Sequence, residues 1–184
     1  MSSHIWDSFG ANPDESAEKF FSVFENRIFK VAFRLCNNAA TAEDLASRTL
    51  VKAYFASAEY IDDASCFAWL CQILHNLYMS DVRRKSHKQL VFTDELPDVV
   101  SPESNPAQTA EDRSDAAALR RAIGKLSPLL RETIVLRYYE GLSIAEISRI
   151  LQADEGAIKV RLYTAKQKLQ QELSHANLLN NGSV

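Results

Sequence analysis

The sequence predicts an all-α protein of two small helical domains joined by an extended linker. Five glycines and five prolines among 184 residues favour long helices over a turn-rich sheet protein. A hydrophobic content of 46% is enough to build cores in one medium domain or two small ones. Apolar residues recur at three- and four-residue steps in several segments, and no run of useful length alternates as a β-strand does.

Charge divides the chain into two basic segments and one acidic segment. Residues 16–89 contain ten Lys/Arg and eight Asp/Glu, and residues 116–173 contain ten and six. The stretch 90–115 has seven acidic residues against Arg113 alone, with three of the five prolines. The net charge of −3 therefore averages two basic modules and an acidic tether. The predicted parts are a tail over 1–15, a domain over 16–89, a linker over 90–114, a domain over 115–174 and a tail over 175–184.

Two amphipathic helices are predicted at the start of the first domain. Apolar residues at helical spacing indicate a helix over 20–35, which the Asn pair at 37–38 interrupts. Thr41 is then expected to cap a second helix, with Asp44, three residues on, as its capping-box partner. This second helix is expected to run to about residue 58.

A third helix follows a loop over residues 59–65. Its sequence, CFAWLCQILHNLYMSDVRRKSHK at 66–88, is apolar on one face and ends in four closely spaced cations. Trp69 is expected to pack in the core, although aromatic residues beside a basic tail can also hold unstacked bases. Cys71 and His75 lie one turn apart, but they have no second pair with which to form a metal site. We therefore interpret both as packing residues and predict no metal.

The second domain has the succession of a helix-turn-helix. After a short helix from Asp115, Ser127 supplies an N-cap ahead of a first-position proline, and Gly141 ends the next helix. Ser143 caps another short helix, and after about three residues a long helix runs over 155–173. A short helix, a tight turn and a longer polar helix are typical of DNA-binding proteins.

The last predicted helix carries residues that suit a recognition helix. A buried apolar stripe leaves its cations and hydroxyls facing outward, where cations bind phosphates and Arg, Lys or Thr reach base edges. Gly156 at the helix start lets backbone N–H groups approach a phosphate. The alternative is a solvated bundle helix that is basic by chance. The stripe consists of Ile158, Leu162, Ala165 and Leu169, and the outward-facing candidates are Lys159, Arg161, Tyr163, Thr164 and Lys166.

Short motifs in both domains carry a resemblance to a known family. The first domain contains AEDL at 42–45, KAY at 52–54 and FAWLCQILHN at 67–76. The second contains LRRAIGKLSPLLRETIVLRYYEGLSIAEISRIL at 119–151 and GAIKVRLYTAKQKL at 156–169. In this order they resemble regions 2 and 4 of the extracytoplasmic-function (ECF) class of bacterial RNA polymerase sigma factors. The region 4 motifs of the second domain are less specific on their own, because other helix-turn-helix regulators share part of them.

The resemblance implies roles for the first domain. A region 2 domain docks on the β′ clamp helices of core RNA polymerase, melts the promoter and captures a flipped minus-ten base. The docking residues implied are Glu43, Asp44, Ser47 and Arg48. The residues implied at the minus-ten loop are Tyr60, Ile61, Asp62, Asp63 and Asn76.

The resemblance also implies roles for the second domain and the linker. A region 4 domain reads the minus-thirty-five element, here with Lys159, Arg161, Thr164 and Lys166, and contacts the polymerase β flap. The linker is implied to thread toward the active-site cleft and the RNA exit path. Its acidity suits a basic, nucleic-acid-lined channel.

The chain departs from the family pattern at three places. Ser47 and Arg48 replace the usual Gln-Glu, which reverses a charge on the docking helix. The loop that is often rich in Arg and Gly reads Ile-Asp-Asp at 61–63. Gln152 replaces the usual glycine of the turn, which strains that turn unless its φ is negative.

The docking helix also suggests a switch. Helical periodicity places one set of residues on an outer arc, Glu43, Asp44, Ser47, Arg48 and Val51, and another on the buried arc, Leu45, Ala46, Thr49, Leu50 and Ala53. Two acids with one cation leave the outer arc at −1, where the family glutamate would give −3. A phosphate adds about −1.5 to −2 and would return the arc to near −3. Geometry favours Ser47 as the acceptor. Resemblance to a kinase-associated ECF subgroup implies Thr49, which would then have to be exposed at the edge of the buried arc. The alternative is that Arg48 is a neutral surface variant.

We therefore predict a cytoplasmic, non-enzymatic sigma factor that needs no cofactor and does not enter a membrane. Its expected partners are core RNA polymerase and promoter DNA, with an anti-sigma protein and a Ser/Thr kinase as further candidates. One alternative is a sigma-like decoy for an anti-sigma protein, which Arg48 and the acidic loop at 61–63 favour and the basic recognition helix disfavours. Another is a stand-alone helix-turn-helix regulator, which would leave the domain at 16–89 unexplained.

Overall fold

The computed structural model describes residues 13–56, 66–89 and 110–181, and throughout these ranges the regular secondary structure is helical. The all-α prediction is confirmed. The first domain contains α1 (Pro13–Cys36), α2 (Ala39–Phe55) and α3 (Cys66–Gln89). The second contains α4 (Ala110–Lys125), α5 (Pro128–Ile134), a π-helical turn (Val135–Tyr139), α6 (Ile144–Ile150) and α7 (Glu155–Asn181). Within the described ranges, these helices are too short or too polar to cross a membrane.

The turn between α1 and α2 corrects the predicted cap. Asn37 adopts a positive φ of 50°, which reverses the chain and leaves Asn38 extended at φ −147°. The Oδ1 atom of Asn38 then accepts a hydrogen bond from the backbone N–H of Thr41 at 2.9 Å. Asn38 is therefore the N-cap and α2 begins at Ala39, so the prediction of a Thr41 cap with Asp44 was wrong. An asparagine one turn earlier satisfied the free N–H groups first.

The core of the first domain follows the predicted periodicity. Along α1, Ile28, Val31 and Leu35 are fully buried, and α2 and α3 pack against this helix. Trp69 is half-buried against the core rather than enclosed in it, whereas its neighbour Leu70 is fully buried. At this point of α3 the core is therefore filled by Leu70, and Trp69 packs at its edge.

The helix that precedes the helix-turn-helix has about the predicted length but is less regular than predicted. Ser127 stands at its N-cap position ahead of the first-position proline, but its side chain makes no capping bond. The chain runs through α5 into the π turn, which ends before Gly141. Gly141 has a φ of +70°, which suits a residue without Cβ. At the start of the second domain, α4 begins at Ala110, earlier than the expected start at Asp115.

The helix-turn-helix itself is capped at both helix starts. Ser143 and Glu146 form a capping box at the start of α6. At the start of α7, Asp154 accepts a hydrogen bond from the N–H of Ala157 at 2.9 Å. Gln152 in the turn has a φ of +49°, so the residue that replaces the usual glycine does occupy the left-handed region.

The two domains pack directly on each other. Helix α1 contacts α5 and the π turn, and α3 contacts α6, the first helix of the helix-turn-helix. Buried apolar residues of both domains form one contiguous cluster. Beside this contact, a cavity of about 280 Å³ separates one face of α1 from α4. Residues 90–109, most of the predicted linker, lie outside the described residues.

Candidate functional site

The exposed face of α7 matches most of the predicted recognition surface. Its apolar stripe is buried at Ile158, Leu162 and Ala165 and half-buried at Leu169. Lys159 and Lys166 are exposed, Tyr163 is 65% exposed, and Thr164 is half-buried. Four of the five outward-facing candidates therefore lie on, or at the edge of, one solvent-facing surface.

Arg161 does not project freely into solvent. Its side chain is half-buried, and its Nη1 atom is buried with no hydrogen-bond partner among the described residues. Burial raises the pKa of the Glu132 carboxyl, and the positive charge of Arg161 is a smaller opposing effect. This corrects the expectation that Arg161 points outward, because its position on the helix turns it toward α5.

Two aromatic contacts shape the exposed surface of α7. The Nζ atom of Lys166 lies 5.2 Å from the ring centre of Tyr138, which is itself exposed. Gln167 donates a hydrogen bond to the hydroxyl of Tyr163 at 2.8 Å. These contacts hold a cation and two aromatic rings on the same side of the second domain, a mixture that suits a sugar-phosphate backbone.

Gly156 lies at the start of α7, where the sequence placed it, and it is exposed. A Cβ added here would lie 3.0 Å from Oδ1 of Asp154. That same oxygen caps α7, so a larger residue would press on the cap. The cap therefore favours a glycine here, which is a reason for it that does not involve DNA.

The docking arc of α2 is divided as predicted. Glu43, Asp44, Ser47 and Val51 are exposed, whereas Leu45, Ala46, Thr49, Leu50 and Ala53 are buried. A groove between α1 and α2 is lined by Ser47 together with the acidic residues Glu25 and Glu43. The accessible hydroxyl of this helix therefore lies in acidic surroundings.

Thr49 does not meet the condition for phosphorylation. It is 0% exposed, and its Oγ1 donates a hydrogen bond to the carbonyl of Leu45 at 2.7 Å. A kinase cannot reach this hydroxyl while the first domain is folded. Helical periodicity placed Thr49 on the buried arc, and the structure confirms that it is buried. Its burial argues against Thr49 as the phosphate acceptor.

Arg48 is held by two carboxylates. Its Nη1 lies 2.9 Å from Oδ2 of Asp44 and 2.8 Å from Oδ2 of Asp81, and its Nη2 lies 3.3 Å from the second oxygen of Asp81. Arg84 also bonds Asp81, at 2.9 Å. The cation that reverses the charge of the docking arc is thus neutralised locally, and the sequence argument missed its partner from α3.

The candidate minus-ten residues are only partly described. Tyr60, Ile61, Asp62 and Asp63 lie outside the described residues, whereas Asn76 is exposed on α3. The aromatic residues Phe67 and Tyr78 on the same helix are each 5% exposed and belong to the core. Packing rather than base stacking accounts for these two rings.

Sequence reasoning missed a buried polar pair between the domains. His75 Nδ1 lies 2.9 Å from Oε2 of Glu132, with both residues buried. A signal was present, because His75 falls on the same stripe of α3 as Cys71, Leu74 and Tyr78, where a polar side chain needs a partner. In the described parts of the chain, no three His, Cys, Asp or Glu side chains are arranged to hold a metal ion.

Comparisons with known proteins agree with both domains. The sigma-70 region 2 family matches residues 20–88, and the sigma-70 region 4 family matches residues 116–169. The ECF RNA polymerase sigma factor BldN of Streptomyces coelicolor is 30% identical over 152 residues, which cover 82% of this chain and 58% of BldN. SigE of Mycolicibacterium smegmatis, also an ECF sigma factor, is 30% identical over 171 residues, which cover 90% of this chain and 66% of SigE.

A solved structure is also similar over most of the chain. The sigma factor RpoE of Bartonella quintana, determined in complex with the anti-sigma factor NepR, matches with a TM-score of 0.70 and 25% identity. The match covers 85% of this chain and 96% of RpoE.

Proposed function

Because the chain belongs to the sigma-70 family through a region 2 and a region 4 domain, we propose that it is an alternative sigma factor of the ECF type. It directs core RNA polymerase to a dedicated set of promoters. The observation that supports this most strongly is the pairing of a region 2 domain with a helix-turn-helix whose long helix has an exposed basic face. A stand-alone helix-turn-helix regulator would leave the first domain without a role.

In this proposal α7 enters the major groove at the minus-thirty-five element. Lys159 and Lys166 are exposed cations on one surface and bind phosphates or base edges. Tyr163 and Thr164 add a ring and a hydroxyl at the same surface. The capped start of α7 presents its N-terminal N–H groups to the DNA backbone.

The outer arc of α2 provides the docking surface for the polymerase. Glu43 and Asp44 are exposed and acidic, and Val51 extends the arc with an exposed apolar side chain. A partly acidic, partly apolar strip fits a basic partner helix, because charge guides the encounter and apolar contact adds affinity. Promoter opening then follows from tighter binding to the separated strand than to the duplex.

An anti-sigma protein is a further proposed partner. RpoE, which shares the fold, was crystallised with an anti-sigma factor. A protein of that class would act here by covering the docking arc or holding the two domains in one arrangement. The decoy alternative has the same partner, and it differs in predicting no binding to core polymerase.

Phosphorylation of Ser47 is proposed as a second form of control. Ser47 is exposed one turn after Glu43 and Asp44, so a phosphate there enlarges the acidic strip that faces the polymerase. Arg48 is already bonded to Asp44 and Asp81, so it is not a free cation that would neutralise the phosphate. The phosphate therefore adds its negative charge to the docking surface. Thr49 is not proposed, because it is buried.

The deciding experiment is reconstitution with core polymerase. The purified chain and core enzyme are incubated with a library of promoter fragments, and run-off transcripts are sequenced. A sigma factor yields initiation at a defined promoter class, whereas a decoy binds no core and yields none. Ser47→Asp should raise affinity for core above that of the unmodified chain, with Ser47→Ala as the matched control. If Ser47→Asp binds no better than Ser47→Ala, there is no switch at this position.

A further inference from the structure

The cavity of about 280 Å³ between α1 and α4 has apolar walls. Phe29 and Phe33 line it from α1, and Leu119 and Ile123 line it from α4. Each pair is spaced by one helical turn, so each helix turns an apolar stripe toward the space. Leu119 nevertheless keeps 37% of its surface exposed, and both phenylalanines are only half-buried. The two stripes therefore face each other without covering each other.

Three cations line the same cavity. Lys30 and Arg34 contribute from α1, one turn apart, and Arg120 contributes from α4. Among the described residues, no Asp or Glu lines it. Arg34 is shared with Glu140, whose carboxylate lies 3.8 Å away and also bonds Arg27. The lining is therefore positively charged, although Glu140 offsets part of the charge of Arg34.

A glycine of α4 keeps space in the wall of the cavity. Gly124 follows Ala116 and Arg120 at four-residue steps on the face of α4 that lines the cavity. Its φ is not in the left-handed region, and a Cβ added here would meet open space. Glycine is less favourable than alanine in a helix, so neither its backbone nor close packing accounts for this residue. A larger side chain at this position would extend toward the cavity.

The size and the lining of the cavity define a class of ligand. Ligand sites are mostly apolar, with a few polar groups that fix the orientation of the ligand. An apolar cavity of about 150 Å³ holds benzene, so this volume suits a body of roughly two aromatic rings. The rings of Phe29 and Phe33, whose centres are 6.1 Å apart, and the ring of Tyr139 favour an aromatic body. The cations of the lining favour an anionic group on that body.

We propose that this cavity binds a small aromatic acid, with its rings between α1 and α4 and its anionic group beside Arg120 and the two cations of α1. The apolar stripes, the charge of the lining and the space kept by Gly124 all suit this ligand. Both domains supply walls of the site, so a bound acid contacts the two domains at once. The site is independent of the functions proposed for α2 and α7.

The test compares two probes that differ in charge. Naphthoate and naphthamide share a body of two fused rings, and only naphthoate carries a negative charge. Each is titrated into the full chain and followed by amide chemical shifts in nuclear magnetic resonance spectra. Naphthoate should shift amides of α1 and α4 around the cavity and should bind several-fold more tightly than naphthamide, because only the acid pairs with the cations.

Variants of α4 separate the charge of the site from its space. Arg120→Ala should weaken naphthoate several-fold and leave naphthamide unchanged. Arg121→Ala is the matched control, because Arg121 is the next residue of α4, is also exposed and does not line the cavity. Gly124→Leu should fill the cavity and remove binding of both probes. Ala116→Leu fills it from the other end of the same row, so the test stands if one of the two variants does not fold.

Several results would overturn the proposal. The absence of naphthoate binding at millimolar concentration, or equal binding of the two probes, excludes an acid as the ligand. Equal losses in Arg120→Ala and Arg121→Ala show that general surface charge attracts naphthoate. Binding that survives in folded Gly124→Leu and Ala116→Leu places the probe elsewhere. A wild-type dimer in sedimentation that Gly124→Leu converts to monomers shows that a second copy of the chain covers these walls instead.

Discussion

The docking helix α2 and the recognition helix α7 both present the outer face that helical periodicity predicts. One arginine on each helix, however, does not project freely into solvent, and the two are held in different ways. Arg48 of α2 is bonded by Asp44 and Asp81, both inside its own domain. Arg161 of α7 is half-buried, and its Nη1 atom has no hydrogen-bond partner among the described residues. Both arginines are therefore withdrawn within their own domains, Arg48 by ion pairs to two carboxylates and Arg161 by burial.

This difference shows that exposure and availability are separate properties of a charged residue. Periodicity decides which residues of a helix face away from its core. It does not decide whether another helix brings a carboxylate to meet them. For α2 the partner comes from α3, whereas the packing around α7 buries Nη1 of Arg161 without a partner among the described residues.

The largest expected effect separates the two hydroxyls of α2. Thr49→Glu forces a carboxylate into a fully buried site, where an unpaired charge is strongly destabilising, and should cost more than about 3 kcal/mol in the free energy of unfolding. Ser47→Asp lies on the exposed arc and should change stability by less than about 0.5 kcal/mol. Urea denaturation measures both. Equal stabilities would mean that Thr49 is accessible, and would restore it as a phosphate acceptor.

The next effect concerns the exposed cations of α7. Lys159→Ala should weaken promoter binding by about 1–3 kcal/mol at one position if the lysine reads a base. If it binds a phosphate, binding weakens at all sequences and the salt dependence falls by about one unit. Fluorescence anisotropy on promoter duplexes distinguishes the two cases. Lys168→Ala, another exposed cation of α7, is the matched control, and an effect of equal size there would mean that the basic face acts without a specific site.

A smaller effect is expected in the turn that leads to α7. Gln152 has a φ of +49°, a conformation that disfavours every residue with a Cβ. Gln152→Gly should relieve this strain and raise the unfolding free energy by about 1 kcal/mol, less the greater flexibility of glycine in the unfolded chain. Thermal denaturation measures it, with Gln167→Gly in the exposed interior of α7 as a control that should destabilise. A loss of stability in Gln152→Gly would show that its side chain contributes more than its backbone costs.

The smallest effect is a pH dependence of domain closure. Burial raises the pKa of Glu132, against the lowering effects of His75 and Arg161. Cys71 and Tyr78 also face this carboxyl, but burial raises the pKa of the Cys71 thiol and raises that of Tyr78 to about 12, so neither titrates near neutrality. Removing the α3 cover rehydrates Glu132 and returns its pKa toward the ordinary value of about 4.3.

The closed form therefore binds protons more tightly than the open form. Its stability relative to the open form is greatest at acidic pH and falls as pH rises through the raised pKa. The radius of gyration should increase slightly as pH rises above the range in which an ordinary carboxyl titrates. Glu132→Gln should reduce that increase. A radius independent of pH in wild type, or an undiminished dependence in the variant, would contradict this assignment.

The sequence by itself determined the elements of the fold and the faces of its helices. Apolar spacing placed the buried stripe of α7 and the buried arc of α2, because a helix turns by a constant angle per residue. Short capping signals such as Ser143 with Glu146 act over three or four residues and were equally readable. The cap of α2 was misread, because two adjacent local signals competed and Asn38 prevailed over Thr41.

Only the tertiary structure decided which polar groups meet across helices far apart in sequence. Nothing local to His75 identifies Glu132 as its partner, and nothing local to Arg48 identifies Asp81. These pairs are set by how whole helices pack, and that packing depends on the shape of every apolar face at once. Helical periodicity therefore predicted the two candidate binding faces, whereas the neutralised Arg48 and the withdrawn Arg161 followed from contacts that no single segment encodes.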